Sequence, residues 1–177
     1  MNQRRNKKED LLEKRWISLF VENEVGVLAR IAGLFSSKLY NLDSLTVGET
    51  EDESISRMTI ICMADDKTFE QILKQLNRMV EVIKVIDFTD VPKHMKEIMF
   101  VRINNCTEQD KRELFRIEKV FDIDIIDYDK NRIEIQSVHS AERNNELLSL
   151  LNRFFLNRYE VVRGGSVAIE ALLQAKS

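Results

Sequence analysis

The spacing of hydrophobic residues along the chain alternates between a strand-like and a helix-like period. The resulting order of predicted strands and helices is the same in the two halves of the chain. Residues 16–23 read WISLFVEN, a run of apolar and β-favouring residues that predicts a strand. In residues 27–39 the apolar side chains recur every three or four positions, which predicts an amphipathic helix. The rest of this half predicts strands over 42–48, 55–63 and 82–88 and a helix over 65–79. The order β-α-β-β-α-β is that of the ferredoxin-like fold.

The same order returns after Pro92, the only proline of the chain, which lies in a polar stretch typical of a domain boundary. Thr107 is predicted to cap a helix, with Asp110 three residues on, as in a capping box. The second half predicts strands over 97–103, 123–128, 132–138 and 159–163, helices over 107–121 and 140–156, and a short apolar tail over 166–175. The predicted fold class is therefore α+β, with two tandem ferredoxin-like βαββαβ domains.

These patterns divide the chain into a flexible leader (1–14), a first domain (15–90), a linker (91–96) and a C-terminal βαββαβ domain (97–177). Strands such as LFVEN and RMTIICM carry apolar residues on both alternating sets, whereas a half-solvated strand alternates more clearly. We therefore expect another subunit or the second domain to cover the open sheet face, which favours an oligomer.

Composition narrows the class of protein. The 177 residues are 44% apolar and 32% charged, as in soluble globular proteins, and the net charge of −3 provides no field that favours nucleic acid or anionic lipid. No apolar run approaches the roughly 18 residues of a membrane span, and the N-terminus has no signal-like apolar region. Cys62 and Cys106 have no paired spacing and are predicted to be reduced thiols. We expect a cytoplasmic protein.

Catalytic signatures are missing from the sequence. His94 and His139 have no serine, cysteine or carboxylate beside them in a known arrangement, and no nucleotide-binding, zinc or hydrolase motif occurs. The acidic stretch IDIIDYD (123–129) is compatible with metal binding, but an exposed strand face followed by a turn explains its spacing better. Aromatic residues are few and are not interleaved with arginines, which argues against an RNA-stacking sheet.

One stretch, ENEVGVLARIAGLF, has the features of a ligand site. A helix that starts near Val27 presents unpaired N–H groups and the positive end of its dipole, which suit a carboxylate. Gly26 permits close approach, Asn23 supplies a donor and an acceptor, and Val25, Val27 and Leu28 provide an apolar border for a small aliphatic amino acid. From the loop alone, a simple turn with Asn23 as a local cap is the favoured interpretation.

Longer motifs in the first half of the chain favour a ligand site over a simple turn at this loop. VEN-x-x-GVL-x-R-x-x-GLFS, Y-N-x-x-SLTVG, T-x-D-x-x-x-SRMTI and Q-x-x-KQLN-x-x-x-x-VIKV follow one another in order. Over about residues 16–90 this sequence resembles the ACT domain of the small, regulatory subunit of acetolactate (acetohydroxyacid) synthase. The remainder fits that family's C-terminal domain in length and element order, with weaker motifs.

The resemblance implies a function. The family's small subunit has no catalytic activity of its own, activates a catalytic subunit and confers feedback inhibition by a branched-chain amino acid, usually valine. Thiamine diphosphate, Mg²⁺ and FAD belong to the catalytic partner, and none is implied for this chain. The effector lies at a homodimer interface between ACT domains, where the matching positions here are Asn23, Gly26, Val27 and Leu28 of one chain and Asn41 of the other.

Two positions depart from the family pattern. Val25 stands where the family usually has proline, and Leu39 stands where a glycine commonly ends the first helix in a left-handed conformation. Leucine there costs roughly 1 kcal/mol or more, so we expect this turn to be rebuilt. An alternative function, an ACT-type sensor that serves another partner such as a transcriptional regulator, has only the basic leader RRNKK in its favour.

Overall fold

The computed structural model describes residues 11–172, which form two four-stranded sheets with two helices each. The first unit contains β1 (Glu13–Glu22), α1 (Val27–Ser37), β2 (Asn41–Glu49), β3 (Ile55–Ala64), α2 (Asp66–Leu76) and β4 (Val82–Asp87). The second contains β5 (Lys93–Ile103), α3 (Glu108–Phe121), β6 (Asp124–Tyr128), β7 (Ile133–His139), α4 (Ala141–Phe155) and β8 (Tyr159–Glu170). The strand orders are β2-β3-β1-β4 and β6-β7-β5-β8, so the two predicted βαββαβ units are confirmed.

The core of the first unit lies between one face of its sheet and the two helices. Strand β1 runs antiparallel to β3 with Ile17 opposite Ile60 and Leu19 opposite Met58. The apolar positions predicted at helical spacing face this sheet, because they recur on one side of each helix. The helix residues buried there are Val27, Ile31, Phe35, Phe69, Ile72 and Leu76.

Several residues on the opposite face of the two central strands, β1 and β3, are also buried. Trp16 is 7% exposed and Ser18 1% on β1, and Thr59 is 6% exposed and Ile61 3% on β3. The ammonium of Lys93 lies 5.6 Å from the centre of the Trp16 ring.

The core of the second unit repeats this arrangement. Alternate residues of β5, namely Met99, Val101 and Ile103, are buried and face α3 and α4. The helices contribute Leu114, Ile117, Phe121, Leu147, Leu151 and Phe155 to the same core. No helix among residues 11–172 is long and apolar enough to cross a membrane.

Several predicted boundaries are wrong. Strand β5 begins at Lys93 and takes in most of the expected linker, and β8 continues through Gly164 and Gly165 to Glu170, where an apolar tail was expected. Gly164 allows this continuation because a Cβ there would lie only 2.8 Å from Cγ2 of Ile98. The predicted leader falls outside the described residues up to residue 10, but β1 already begins at Glu13.

The start of α3 has the predicted capping box. The Thr107 side chain accepts from the N–H of Asp110, and the Asp110 carboxylate accepts from the N–H of Thr107 at 2.8 Å. Arg158, which lies between α4 and β8, also donates to this carboxylate at 3.1 Å and to the carbonyl of Asn105 at 2.9 Å. One aspartate therefore joins the helix start to the beginning of the last strand.

Acid should weaken the second unit through Asp110. The Arg158 guanidinium, aided by the Thr107 N–H, lowers the pKa of this carboxyl from 3.8 to about 2. A carboxyl with a lowered folded-state pKa stabilises the fold above pH 4 and loses that contribution as pH falls through 4 towards 2. We expect the free energy of unfolding to fall by roughly 1 kcal/mol over this range, after allowance for solvent screening. Urea titrations of wild type and Asp110→Asn at several pH values test this. Only the wild type should show the loss of stability that comes from protonation of Asp110.

Candidate functional site

The loop between β1 and α1 depends on a left-handed glycine. Gly26 is the N-cap of α1 and has φ of 89°, a conformation that L side chains rarely adopt. A Cβ at this position would lie 3.6 Å from Nη1 of Arg30, which is an ordinary contact. Backbone conformation, more than lack of space, therefore selects glycine here, and the surface next to the helix start is left open.

The start of α1 also differs from the other helix starts within residues 11–172. Asp65, Thr107 and Ser140 each accept a hydrogen bond from the first turn of their helix, whereas α1 has no side-chain cap. The N–H of Val27 donates to the carbonyl of Glu24 at 3.3 Å. The remaining amides of the first turn are suited to an acceptor from outside the helix.

Asn23 does not cap this helix. Its Nδ2 donates to the carbonyl of Glu53 at 2.9 Å, and its Oδ1 accepts from the hydroxyl of Ser56 at 3.0 Å. Its backbone N–H donates to the carbonyl of Ser54 at 2.7 Å. Asn23 therefore holds the end of β1 against the turn between β2 and β3, and the local-cap interpretation is wrong.

The other predicted site residues lie in different environments. Val27 is 2% exposed, so its side chain belongs to the core and only its backbone remains for a ligand. Val25 is fully exposed and Leu28 is 43% exposed, so both side chains are accessible from solvent. Asn41 is exposed at the start of β2, where its Nδ2 donates to the Asp43 carboxylate at 3.1 Å.

Arg30 is a candidate site residue that the sequence reasoning missed. Its Nε lies 2.7 Å from the Glu81 carboxylate, and its Nη1 is beside Gly26. The guanidinium therefore places N–H donors beside the helix start, while its charge is paired with the Glu81 carboxylate. The signal was present in GVL-x-R, because a residue four positions after Gly26 lies above it on the same helix face.

The expectation of a rebuilt turn after α1 is wrong, because the chain keeps the left-handed conformation at Leu39. Leu39 has φ of 57°, its N–H donates to the carbonyl of Ser36 at 3.2 Å, and the N–H of Tyr40 donates to Phe35 at 3.0 Å. The Phe35 and Tyr40 rings meet edge-on at 6.2 Å. This is a Schellman motif with its usual apolar contact, which supports Leu39 in a conformation that favours glycine.

Replacing Leu39 by glycine should stabilise the first unit. The side chain is 93% exposed, so its removal gives up almost no burial, while the strain of the left-handed leucine disappears. We expect Leu39→Gly to raise the free energy of unfolding by about 1 kcal/mol in urea denaturation followed by Trp16 fluorescence. Leu39→Ala is the matched control and should give no comparable gain. An unchanged or lower stability of the glycine variant would contradict this account of the turn.

The acidic stretch 123–129 is a turn and a strand face. Asp129 accepts from the N–H groups of Asn131 and Arg132 and pairs with the Arg132 guanidinium at 2.6 Å. The Arg132 guanidinium and the N–H of Asn131 lower the pKa of Asp129. Within residues 11–172, no group of three acidic, histidine or cysteine side chains is arranged to hold a metal ion.

His139 and the two cysteines have local environments that need no ligand. His139 places Nε2 2.8 Å from the carbonyl of Asp122, at the end of α3. Both cysteines are free thiols and are buried. Burial raises the pKa of Cys62 to about 11 and also raises that of Cys106, so neither is an activated thiolate.

Comparisons with known proteins match both units of the chain. Residues 17–84 match a family model described as an AHAS small subunit-like ACT domain, and residues 96–172 match one described as the small subunit of acetolactate synthase. The acetolactate synthase small subunit of Aquifex aeolicus is 35% identical over 98% of this chain and 90% of its own length. The isozyme 3 small subunit of Salmonella typhimurium is 36% identical over 88% of this chain and 94% of its own length.

A solved structure extends this similarity to the fold. The crystal structure of the acetolactate synthase small subunit from Thermotoga maritima superposes with a TM-score of 0.81 at 31% identity, covering 90% of this chain and 98% of that one. The fold and the helix start at Gly26 define an ACT-domain protein with a second βαββαβ unit. The chain belongs to the acetolactate synthase small-subunit family.

Proposed function

We propose that this chain activates the catalytic subunit of acetolactate synthase and makes it sensitive to feedback inhibition by valine. In this proposal the chain has no catalytic activity, and thiamine diphosphate, Mg²⁺ and FAD belong to the catalytic subunit. The family assignment supports the catalytic partner, since small subunits are named for the enzyme they serve. The observation that carries the effector site is the α1 start, which has no side-chain cap and has Arg30 beside it.

The chemistry of this helix start suits a small apolar amino acid. The effector carboxylate would accept from the first-turn amides and lie near the Arg30 guanidinium. The aliphatic side chain would contact Val25 and Leu28, both exposed. We infer that two chains pair through their ACT domains and that Asn41 of the second copy completes the site. The oxygen of Asn23 accepts from Ser56, so Asn23 would contribute mainly by fixing the loop.

Inhibition would then be a population shift. Valine that binds across two ACT domains favours one arrangement of the pair, and the catalytic subunit responds to that arrangement. The alternative of a sensor for a transcriptional regulator depended on the basic leader, and residues 1–10 lie outside the described range. Nothing in residues 11–172 adds support to that alternative.

Calorimetry tests the effector site directly. The purified chain is titrated with valine, leucine, isoleucine and valinamide, which lacks the carboxylate. We expect valine to bind and valinamide to bind at least about tenfold more weakly, because the amide removes the charge that the helix start and Arg30 recognise. Equal affinity for valine and valinamide, or no heat with any of the three amino acids, would contradict the proposal.

Arg30→Gln should weaken valine binding without unfolding the chain. The side chain of Arg30 is 49% exposed, so loss of its charge costs about 1 kcal/mol of binding and raises Kd about fivefold. Arg116→Gln is a matched control, because Arg116 is 77% exposed and pairs with Glu113 on α3, in the other unit. The measurement is calorimetry with valine on both variants. Equal Kd values would remove Arg30 from the site.

A further inference from the structure

The ion pair between Arg30 and Glu81 joins the start of α1 to the turn that precedes β4. The Nε of Arg30 lies 2.7 Å from Oε1 of Glu81, and the two side chains are 49% and 19% exposed. The other end of the guanidinium lies beside the loop, because a Cβ on Gly26 would be 3.6 Å from Nη1 of Arg30. Glu81 therefore occupies one end of the guanidinium and leaves the other end at the open helix start.

The backbone of Glu81 is fixed as well. Its carbonyl accepts from the N–H of Glu22, the last residue of β1, at 2.9 Å. This contact depends on a β-bulge, since the pairing of β4 with β1 shifts register between Phe20 and Val21 and leaves Ile83 as the extra residue. Without the bulge, the next residue along β4 would stand opposite Glu22. The bulge thus brings Glu81 to the end of β1, where the β1–α1 loop begins.

The pair can act on an effector carboxylate in two opposite ways. An unpaired arginine side chain samples many rotamers, so fixing the Arg30 guanidinium in advance strengthens binding. The carboxylate of Glu81 also offsets the positive charge, which weakens the attraction for a second carboxylate. Because half of the Arg30 side chain is exposed, solvent screens this charge effect, whereas a hydrogen bond still depends on the direction of its donor. Orientation is therefore the larger of the two effects.

We propose that Glu81 is a positioning residue of the effector site, which acts through Arg30 and does not contact the effector. The inference rests on the proposed function, which supplies the effector. The effector carboxylate accepts from Nη1 of Arg30 and from the first-turn amides, while Glu81 holds the guanidinium at Nε. Affinity for valine thus depends on the turn between α2 and β4, outside the loop that binds the effector.

Two substitutions of Glu81 separate orientation from charge in calorimetry with valine. Glu81→Ala removes the acceptor and should raise Kd about three- to fivefold, close to the effect of Arg30→Gln. Glu81→Gln removes the charge but keeps an acceptor for Arg30, so it should bind valine at least as tightly as wild type. Both keep the backbone carbonyl that accepts from Glu22. Glu113→Ala, which removes the partner of Arg116 on α3, is the matched control and should bind like wild type.

A double-mutant cycle tests whether Glu81 acts through Arg30. If Glu81 only orients the guanidinium, Glu81→Ala should change Kd by less than about twofold in a chain that already carries Arg30→Gln. Valinamide lacks the carboxylate, so its Kd should be the same in wild type and Glu81→Ala. Additive effects in the cycle, or an equal loss of affinity for valine and valinamide, would assign the effect to the fold of the loop and overturn the inference.

The remaining outcomes separate this inference from the proposed function. Unchanged or tighter valine binding by Glu81→Ala, with normal binding by wild type, would show that orientation by Glu81 does not matter and would overturn the inference alone. Equal weakening by Glu81→Gln and Glu81→Ala would assign the role to the charge of Glu81 and would also overturn it. No valine binding by the wild-type chain would defeat the proposed function, and this inference with it.

Discussion

Gly26→Asp should abolish valine inhibition while leaving activation of the catalytic subunit largely intact. The new carboxylate would stand at the start of α1 beside Arg30, where it would compete with the effector carboxylate. The effector would meet both bulk and like charge there. We expect Kd for valine to rise at least about 100-fold, which corresponds to about 2.7 kcal/mol. Inhibition of the reconstituted enzyme by valine is the measurement.

Gly26→Asn is the matched control for this substitution. Asparagine adopts the left-handed conformation at least as readily as aspartate and has nearly the same size, but it brings no charge. It should weaken valine binding less than aspartate does, and the difference between the two variants isolates the repulsion between carboxylates. If Gly26→Asp kept wild-type inhibition by valine, the helix start would not be the effector site.

The second unit should lose much of its stability when Asn144 is replaced by alanine. Asn144 is fully buried; its Oδ1 accepts from the Ser137 hydroxyl at 2.6 Å and its Nδ2 donates to the Glu97 carboxylate at 3.2 Å. Arg163 also donates to Glu97, at 2.7 Å. Alanine would leave a hydroxyl and a carboxylate, both buried, short of partners, which costs about 2–4 kcal/mol.

Urea unfolding separates this effect from the first unit. Trp16 is the only tryptophan, so its fluorescence follows the first unit, while circular dichroism follows both. We expect Asn144→Ala to lower the urea concentration at the midpoint of the transition that circular dichroism detects and Trp16 fluorescence does not. Asn152→Ala, at an exposed position of the same helix, should have little effect. A loss below about 1 kcal/mol for Asn144→Ala would show that the polar network contributes little to stability.

The sequence predicted the element order because the hydrophobic period is a local property. It failed at β8, where Gly164 and Gly165 look like a strand end. The strand passes through residue 164 with glycine because Ile98, far away in the sequence, occupies the space that a side chain there would need. Such a contact between distant strands leaves no trace in the local pattern. Similarly, Asn23 bonds to Glu53 and Ser56 at the β2–β3 connection, about 30 residues away in sequence, so the sequence of the β1–α1 loop alone could not identify these partners.

At the candidate site, the residues of the backbone turn were easier to predict than those that supply charge. Gly26 was recognised because a strand and a helix meet there, and its positive φ agrees with that interpretation. Arg30 was overlooked because its importance depends on the direction of its guanidinium, which the pair with Glu81 sets. The strain at Leu39 was foreseen, but its support by Phe35 and Tyr40 became visible only in the packing of the two rings.

Reconstitution with the cognate catalytic subunit tests the central claim most directly. Acetolactate formation from pyruvate is measured for the catalytic subunit alone, for this chain alone, for the mixture, and for the mixture with increasing valine. The account predicts that the mixture is more active than the catalytic subunit, that this chain alone is inactive, and that valine reverses the stimulation. A mixture that is no more active than the catalytic subunit alone, together with no complex on size exclusion, would contradict it.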